Sequence, residues 1–392
     1  MTVRTSDGGC AATSVDPERQ ERAAAYARAR YGLIAAYGIA TTLYVILWLV
    51  SGLSRGLNAA LLEWVGPRPV RVAAYLLVFG LGYALVVLPL DYLGHLLSRR
   101  YNLSVQSTLQ WLGDLVKAGL LSAAFGLLVG EAVYFLLEQA PRVWWLWSGA
   151  LLFLFDVLLA NVAPLIVVPL FFDVKPLTDP ALVERLTRLA GRAGAFVRGV
   201  FTVDFSRRTT AANAALMGLG NTRRIVLADT LLSTHTPAEV EVVLAHELAH
   251  HVHGDIWKSM CLSAAVLWSG LLLTAQWLAW AVARWGFDGV GDLAAFPLLA
   301  LSLGGFYVLS SPLTNAYSRW REGLADRYAL RLTGNCAAFV SSMVKLADQN
   351  LSQLEPPRWA VWLLFGHPPI GERIRLGQRW ERESGPARRG LS

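Results

Sequence analysis

The sequence contains six apolar segments that are each long enough to cross a lipid bilayer as one α-helix, for which about 20 residues suffice. They cover residues 32–53, 71–97, 112–138, 145–171, 256–284 and 293–317. Only 16% of the residues are charged, whereas about a quarter are charged in a soluble domain. The sequence therefore predicts a predominantly α-helical, polytopic membrane bundle rather than a soluble globule.

The apolar segments divide the chain into five parts. We expect a polar N-terminal tail with an amphipathic helix, a four-helix transmembrane block, a mixed part, a two-helix transmembrane hairpin and a basic C-terminal part. Their predicted ranges are 1–31, 32–171, 172–255, 256–317 and 318–392. The mixed part alternates helical periodicity with short strand-like runs, which predicts a small α+β unit outside the membrane.

The basic charge of the chain, +7 overall, consists almost entirely of arginine that lies between apolar segments. Such a distribution is typical of cytoplasmic loops rather than of a nucleic-acid binding surface. Six spans place both tails and residues 172–255 on one side, which carries most of the arginine. We therefore predict a catalytic part on the cytoplasmic side and no nucleic-acid partner. The abundance of Ala, Gly and Trp hints at a GC-rich bacterial genome and thus at a bacterial cytoplasmic membrane.

The sequence HELAH at 246–250 is the strongest chemical motif. Thr236, Pro237 and Glu239 predict the start of its helix, with a capping box and a proline in the first turn. His246 and His250 are four residues apart, so both imidazoles project from one helix face and can bind one Zn²⁺. Glu247 lies beside that site without being a ligand, where a general base can take a proton from the attacking water.

A catalytic zinc needs a third protein ligand. His253 lies about 10 Å along the axis from His246, and His251 points to another face, so neither can share the ion. The best candidate is Glu322 in the run SRWREGLAD at 318–326, which follows the last apolar segment. Asp326 shares its helix face and can accept a hydrogen bond from a ligand imidazole. The alternative for Glu322 is a solvated carboxylate beside neighbouring arginines.

With these motifs in place, the sequence resembles the type I CAAX prenyl protease family of integral-membrane zinc endopeptidases. The resemblance covers about residues 70–380. It is carried by HELAH, by SRWREGLAD, by ANAALMGLGNTRRIVLADTLL at 212–232 and by HPPIGERI at 367–374. PLFFDVKPL at 169–177 and YNLSVQS at 101–107 are also similar to family segments. Ala215, Leu216 and Met217 stand where members often carry aromatic residues, which leaves the substrate preference open.

The resemblance implies a helical bundle that encloses a water-filled chamber, with one zinc ion held by His246, His250 and Glu322. It implies that Asn213 and Ala214 lie on an edge strand that pairs with the substrate backbone. It further implies that His367 and Arg373 lie near the zinc, where they stabilise the oxyanion or anchor the substrate. The substrate would be a peptide or protein, either prenylated or embedded in the bilayer.

Three functions remain open at this stage. The first is an endopeptidase that cuts near the C-terminus of its substrate, and the second is a quality-control zinc protease of the heat-shock type. The third is a non-enzymatic metal transporter or zinc-stabilised scaffold. Glu131 and Asp156, in the middle of apolar segments, either line the chamber or form buried interhelical pairs.

Overall fold

The computed structural model describes residues 16–218 and 223–389, and within these ranges the chain is mainly α-helical. The N-terminal half contains α1 (Pro17–Val50), α2 (Leu53–Trp64), α3 (Arg68–Arg100), α4 (Thr108–Gln139), α5 (Trp144–Val162) and α6 (Val168–Phe171). The central part contains β1 (Val174–Pro176), α7 (Pro180–Arg192), β2 (Val200–Val203), β3 (Ala214–Met217), β4 (Arg224–Ala228), α8 (Asp229–Thr234) and α9 (Pro237–Val252). The remainder contains α10 (Asp255–Trp285), α11 (Phe296–Thr333), α12 (Cys336–Gln349), α13 (Arg358–Leu364) and α14 (Ile370–Arg389).

Six helices of the described residues are long and apolar enough to cross a membrane: α1, α3, α4, α5, α10, and α11 with the 3₁₀ turn before it. In each of them a third or less of the most apolar window is buried. The helices thus leave most of their surface to lipid or to open space between them. The predicted fold class, a polytopic helical bundle with a small sheet, is confirmed.

Two boundaries differ from the sequence prediction. The predicted amphipathic segment and the first span form one continuous helix, α1. Its first residue is Pro17, and Asp16 is its N-cap. The fourth predicted span, 145–171, is divided between α5 and α6 by a π-helical turn, Ala163–Val167. Pro164 within this turn lacks the amide hydrogen that a regular helix needs, which explains the interruption.

The sheet has the strand order β1-β2-β4-β3. β2 and β4 are parallel, whereas β3 is antiparallel to β4, with Ala214 opposite Leu227 and Met217 opposite Arg224. β3 is therefore an edge strand, with one row of backbone groups that no other strand of the sheet pairs.

α9 packs between the sheet and α11. Its apolar side chains Leu244 and Leu248 are fully buried in one cluster with Ile225 and Leu227 of β4 and Leu186 of α7. Burial of a leucine side chain contributes roughly 1.5–3 kcal/mol. This core fixes the helix that carries HELAH on a rigid support.

The start of α9 has the predicted capping box. The Thr236 hydroxyl accepts a hydrogen bond from the Glu239 amide, and the Glu239 carboxylate accepts one from the Thr236 amide, at 3.4 and 2.6 Å. The Glu239 carboxylate also accepts hydrogen bonds from Lys345 and Ser341 of α12. Burial acts to raise the pKa of Glu239, but these hydrogen bonds outweigh it and hold the pKa below its usual value. The cap thus also joins α9 to α12.

We predict that Thr236→Ala lowers the free energy of unfolding of the part that contains the sheet and α9 by about 1 kcal/mol, because the helix loses its side-chain cap. Thermal unfolding of the detergent-solubilised protein measures this as a lower midpoint. The matched control is Thr178→Ala, which changes an exposed threonine outside a helix and should leave the midpoint unchanged. Equal midpoints for the two variants would contradict the role of the cap.

Candidate metal centre

The metal centre lies between α9 and the C-terminal part of α11. Nε2 of His246 is 3.0 Å from Oε2 of Glu322, and Nε2 of His250 is 3.4 Å from Oε1 of the same carboxylate. His246 and Glu322 are buried, and His250 is half-buried. One nitrogen of each imidazole thus points to a common space that the Glu322 carboxylate borders.

The other nitrogen of each imidazole contacts a second carboxylate. Nδ1 of His246 is 2.9 Å from Oδ1 of Asp326, one turn beyond Glu322 on α11. Nδ1 of His250 is 2.9 Å from Oδ2 of Asp255, at the start of α10. A carboxylate on Nδ1 fixes the orientation of the ring and leaves Nε2 free of its proton for a metal.

Asp255 was not predicted from the sequence. α9 ends at Val252, and Gly254 then takes a left-handed conformation with φ of 64°. This conformation favours glycine, and it turns the chain so that Asp255 lies back against His250. Arg321 donates from Nε to Oδ1 of Asp255 over 2.7 Å and so compensates its buried charge. The Gly-Asp pair that follows His253, just after the helix with the HELAH motif, was the signal that could have revealed this residue.

The electrostatics favour a cation at the centre. Burial acts to lower the pKa of His246, but its hydrogen bonds to Asp326 and Glu322 outweigh that effect and raise the pKa to about 9. The carboxylates therefore stabilise positive charge at this imidazole. Burial also raises the pKa of Glu247, against the opposite effect of His246 and His250. A carboxylate with a raised pKa is a better proton acceptor near neutral pH.

The predicted residues His367 and Arg373 both reach this centre, from different sides. Nδ1 of His367 is 2.8 Å from Oε2 of Glu322, and the His367 side chain is 69% exposed, so it lies on the open side. Arg373 is mostly buried; its Nε and Nη2 donate to both oxygens of Asp326, at 2.8 and 2.5 Å. Nη2 is also 3.3 Å from Nδ1 of His246. Arg373 thus contacts the side of His246 opposite to Glu322.

The structure places Ala214 at the start of the edge strand β3, with Asn213 directly before it. The Asn213 carbonyl accepts a hydrogen bond from the Ala228 amide, so the residue is held against β4. A small apolar cavity of about 90 Å³ lies beside them, lined also by Val168, Phe172 and Met217. β3 also packs against α9, the helix that carries His246 and His250.

The donor set fits a zinc ion. Potential ligand atoms of His246, His250 and Glu322 all lie within 4.8 Å of one another, and no other such group of His, Cys, Asp and Glu occurs in the described residues. In a tetrahedral site with bonds of 2.0–2.1 Å, the ligand atoms are about 3.3 Å apart. The two imidazole-carboxylate distances lie close to this value. His251 and His253 are outside the group, in keeping with the geometric argument from the sequence.

Comparisons with known proteins also indicate a metallopeptidase. The profile of peptidase family M48 matches residues 176–381, and the profile described as CAAX prenyl protease N-terminal, five membrane helices, matches residues 10–173. The uncharacterized metalloprotease YhfN of Bacillus subtilis is 32% identical over 85% of this chain and 79% of its own. CAAX prenyl protease 1 of Saccharomyces cerevisiae is 27% identical over 74% of this chain and 68% of its own.

Among solved structures, the crystal structure of S. mikatae Ste24p superposes with a TM-score of 0.80. The match covers 92% of this chain and 89% of that one at 22% identity, and it shows a shared fold. Together with the two profiles, which match successive parts of the chain, these similarities establish the assignment. The chain belongs to peptidase family M48 and is an integral-membrane metalloendopeptidase similar to the CAAX prenyl proteases.

Proposed function

We propose that the protein is a zinc-dependent endopeptidase that hydrolyses a peptide bond near the C-terminus of its substrate, with Glu247 as the general base. The observation that carries this proposal is the convergence of Nε2 of His246 and Nε2 of His250 on the Glu322 carboxylate, beside Glu247. Three protein ligands leave a fourth position open for catalysis. Zinc bound there would polarise the scissile carbonyl and lower the pKa of water.

The other predicted residues receive roles from their contacts. The free edge of β3, from Asn213 and Ala214 onward, can pair with an extended substrate backbone. His367, on the open side of Glu322, is placed to donate a hydrogen bond to negative charge that develops on the substrate. The contacts of Arg373 with Asp326 and His246 favour a positioning role, in which Arg373 fixes the metal ligand through its carboxylate partner.

We further propose that the metal centre lies on the cytoplasmic side of a bacterial membrane. The support is the arginine distribution between the spans and the general excess of basic residues in cytoplasmic loops. In this orientation the cytoplasmic ends of α10 and α11 carry Asp255, Glu322 and Asp326.

We predict that Glu247→Gln abolishes peptide cleavage, because the glutamine side chain cannot act as the base. Zinc should stay bound, because residue 247 is not one of the proposed ligands. The loss should be at least on the order of a hundredfold, the usual contribution of general-base catalysis. Peptide hydrolysis and metal content by atomic absorption are measured on the same preparation. Cleavage at the wild-type rate would contradict the assigned base. A non-enzymatic metal transporter would show no cleavage even in the wild-type protein.

We predict that Asp255→Asn weakens zinc binding by about 10–100-fold, the usual effect of removing a partner of a metal-binding imidazole. Glu322→Gln, which removes a ligand, should weaken it more. The matched control is Asp288→Asn, which removes the same charge beyond the other end of α10. Zinc affinity is measured by competition with a chelator. An unchanged affinity of the Asp255 variant would show that the contact with His250 does not orient a metal ligand.

The substrate class separates the two protease hypotheses. The match of residues 10–173 to the CAAX prenyl protease N-terminal profile favours the prenyl protease function over a quality-control protease of the heat-shock type. We predict that a farnesylated CAAX peptide is cut near its C-terminus, and that a chelator stops the cleavage. Mass spectrometry of the products, with an unprenylated peptide as control, maps the cut. Degradation of misfolded membrane proteins without cleavage of either peptide would favour the alternative.

A further inference from the structure

A polar cavity of about 520 Å³ shares no residue with the candidate metal centre. It lies where α1, α3 and the start of α4 meet the segment before β3. Its polar and aromatic lining includes Tyr26, Arg30, His95, Ser98, Gln106 and Arg208. None of the described residues that line it is an aspartate or a glutamate. Gln106 and Arg208 donate hydrogen bonds to the carboxylate of Asp114, so it is the remaining donors of the cavity that can bind an anion.

The two arginines of the cavity differ in what they contact. Nε of Arg208 is 2.9 Å from Oδ2 of Asp114, so its charge is compensated. Arg30 is exposed and forms no ion pair with a described residue. Its positive charge remains available to a ligand, and a charge-assisted hydrogen bond is about twice as strong as a neutral one.

A buried histidine adds to the polar character of this cavity. His95 is only 5% exposed and stacks on Trp111, with ring centroids 5.0 Å apart. No described residue lies within hydrogen-bonding distance of its Nε2. Buried polar groups without a partner are rare and costly in proteins. A small movement of this ring toward a bound anion would provide the missing hydrogen bond.

The walls of the cavity are fixed to the sheet. The Val105 amide donates to the Arg208 carbonyl at 3.0 Å, and the Thr210 amide donates to the Leu103 carbonyl at 3.2 Å. From the other side, the Asn350 side chain accepts a hydrogen bond from the Ala212 amide at 3.0 Å. The segment YNLSVQS at 101–107 is thus bonded to the residues that lead into β3.

The direction of β3 relates the cavity to a substrate. Antiparallel pairing is slightly more stable per residue than parallel pairing, and a peptide that pairs antiparallel with the free edge of β3 runs from Met217 toward Ala214. The C-terminal end of such a peptide points toward Ala211 and Thr209, which precede β3 in the chain. Both of these residues line the cavity.

We propose that this cavity binds the C-terminal carboxylate of the peptide substrate, with Arg30 as the main counter-ion and Ser98 and His95 as further donors. The proposal rests on the proposed endopeptidase function and specifies the substrate as a chain that ends a few residues beyond the scissile bond. An anionic lipid headgroup offers the same charge, and the exposed Arg99 and Arg100 end α3 nearby. The experiment must separate these two sources.

The test compares the binding of one peptide with a free C-terminal carboxylate and of the same peptide with a C-terminal amide. Binding is measured by fluorescence anisotropy on the full-length, zinc-loaded Glu247→Gln protein, which cannot cleave. We expect the acid to bind on the order of tenfold more tightly than the amide, as for a charge-assisted contact. Arg30→Gln should remove this preference, and Arg30→Lys should keep most of it.

The matched control is Arg28→Gln, which removes an exposed arginine of the same helix that does not line the cavity. It should keep the preference for the acid. Equal binding of acid and amide, or a preference that persists in Arg30→Gln, would overturn the proposal. If the wild-type protein cleaves no peptide, the proposed function is wrong. The difference in binding between the peptide acid and the peptide amide still tests the carboxylate site by itself.

The lipid source is tested in nanodiscs of zwitterionic lipid with and without anionic phospholipid. If the cavity binds substrate, acid preference persists in purely zwitterionic nanodiscs. If it binds a headgroup, anionic phospholipid associates with the protein in an Arg30-dependent way while acid and amide peptides bind equally. That second result would assign the cavity to lipid and overturn the proposal.

Discussion

The metal centre depends on two carboxylates that hold the far side of two imidazoles. Asp326 contacts Nδ1 of His246, and Asp255 contacts Nδ1 of His250, both at 2.9 Å. A buried carboxylate is costly unless a cation compensates it, and each has its own arginine. Arg373 donates to Asp326, and Arg321 donates to Asp255. Each candidate ligand histidine is thus the end of an arginine–aspartate–histidine chain.

These two arginine–aspartate–histidine chains also determine the net charge of the centre. Within each chain the arginine and the aspartate cancel, so that the carboxylates of Glu322 and Glu247 remain facing the two imidazoles. A divalent cation compensates the charge of both. The arrangement therefore suits Zn²⁺ better than a monovalent ion, in agreement with the nitrogen and oxygen ligands that it offers.

The chains join the centre to the membrane bundle. Asp255 is the first residue of α10, and Glu322 and Asp326 lie near the end of α11. Both helices are long enough to span a bilayer. The histidines belong instead to α9, whose position is set by the buried core under the sheet. The geometry of the candidate metal centre thus requires that the membrane helices and the sheet be correctly placed relative to each other.

The sequence predicted the parts of this arrangement that are local. The spacing of His246 and His250 and the capping box of Thr236 follow from the period and the ends of one helix. Glu322 could be proposed as the third ligand because two apolar segments of similar length return the chain to the same side of the membrane. The six spans were predictable because each is a long apolar segment, whereas the π-helical turn that shortens the fourth was not.

Asp255 and Arg321 could not be predicted in the same way. The contact of Asp255 with His250 depends on the left-handed conformation of Gly254, two residues beyond the end of α9. The contact of Arg321 depends on the packing of α10 against α11. The glycine indicates that the chain turns after the helix, but neither a helical period nor a capping rule identifies the side chains that tertiary packing then brings together. The cavity around Arg30 is likewise formed by tertiary packing, since its lining comes from segments that are far apart in the sequence.

The charges of the candidate metal centre and of the cavity with Arg30 together influence which peptide bond would be cut. A divalent cation at the candidate metal centre only balances the carboxylates of Glu322 and Glu247, so the centre offers no net positive charge to a C-terminal carboxylate. The cavity with Arg30 attracts it. A peptide paired along the four residues of β3 extends for about 13 Å at 3.3 Å per residue, and the segment from Asn213 back to Thr209 adds further length. A carboxylate held in the cavity would therefore keep the scissile bond several residues from the end of the chain, which is the geometry of an endopeptidase rather than of a carboxypeptidase.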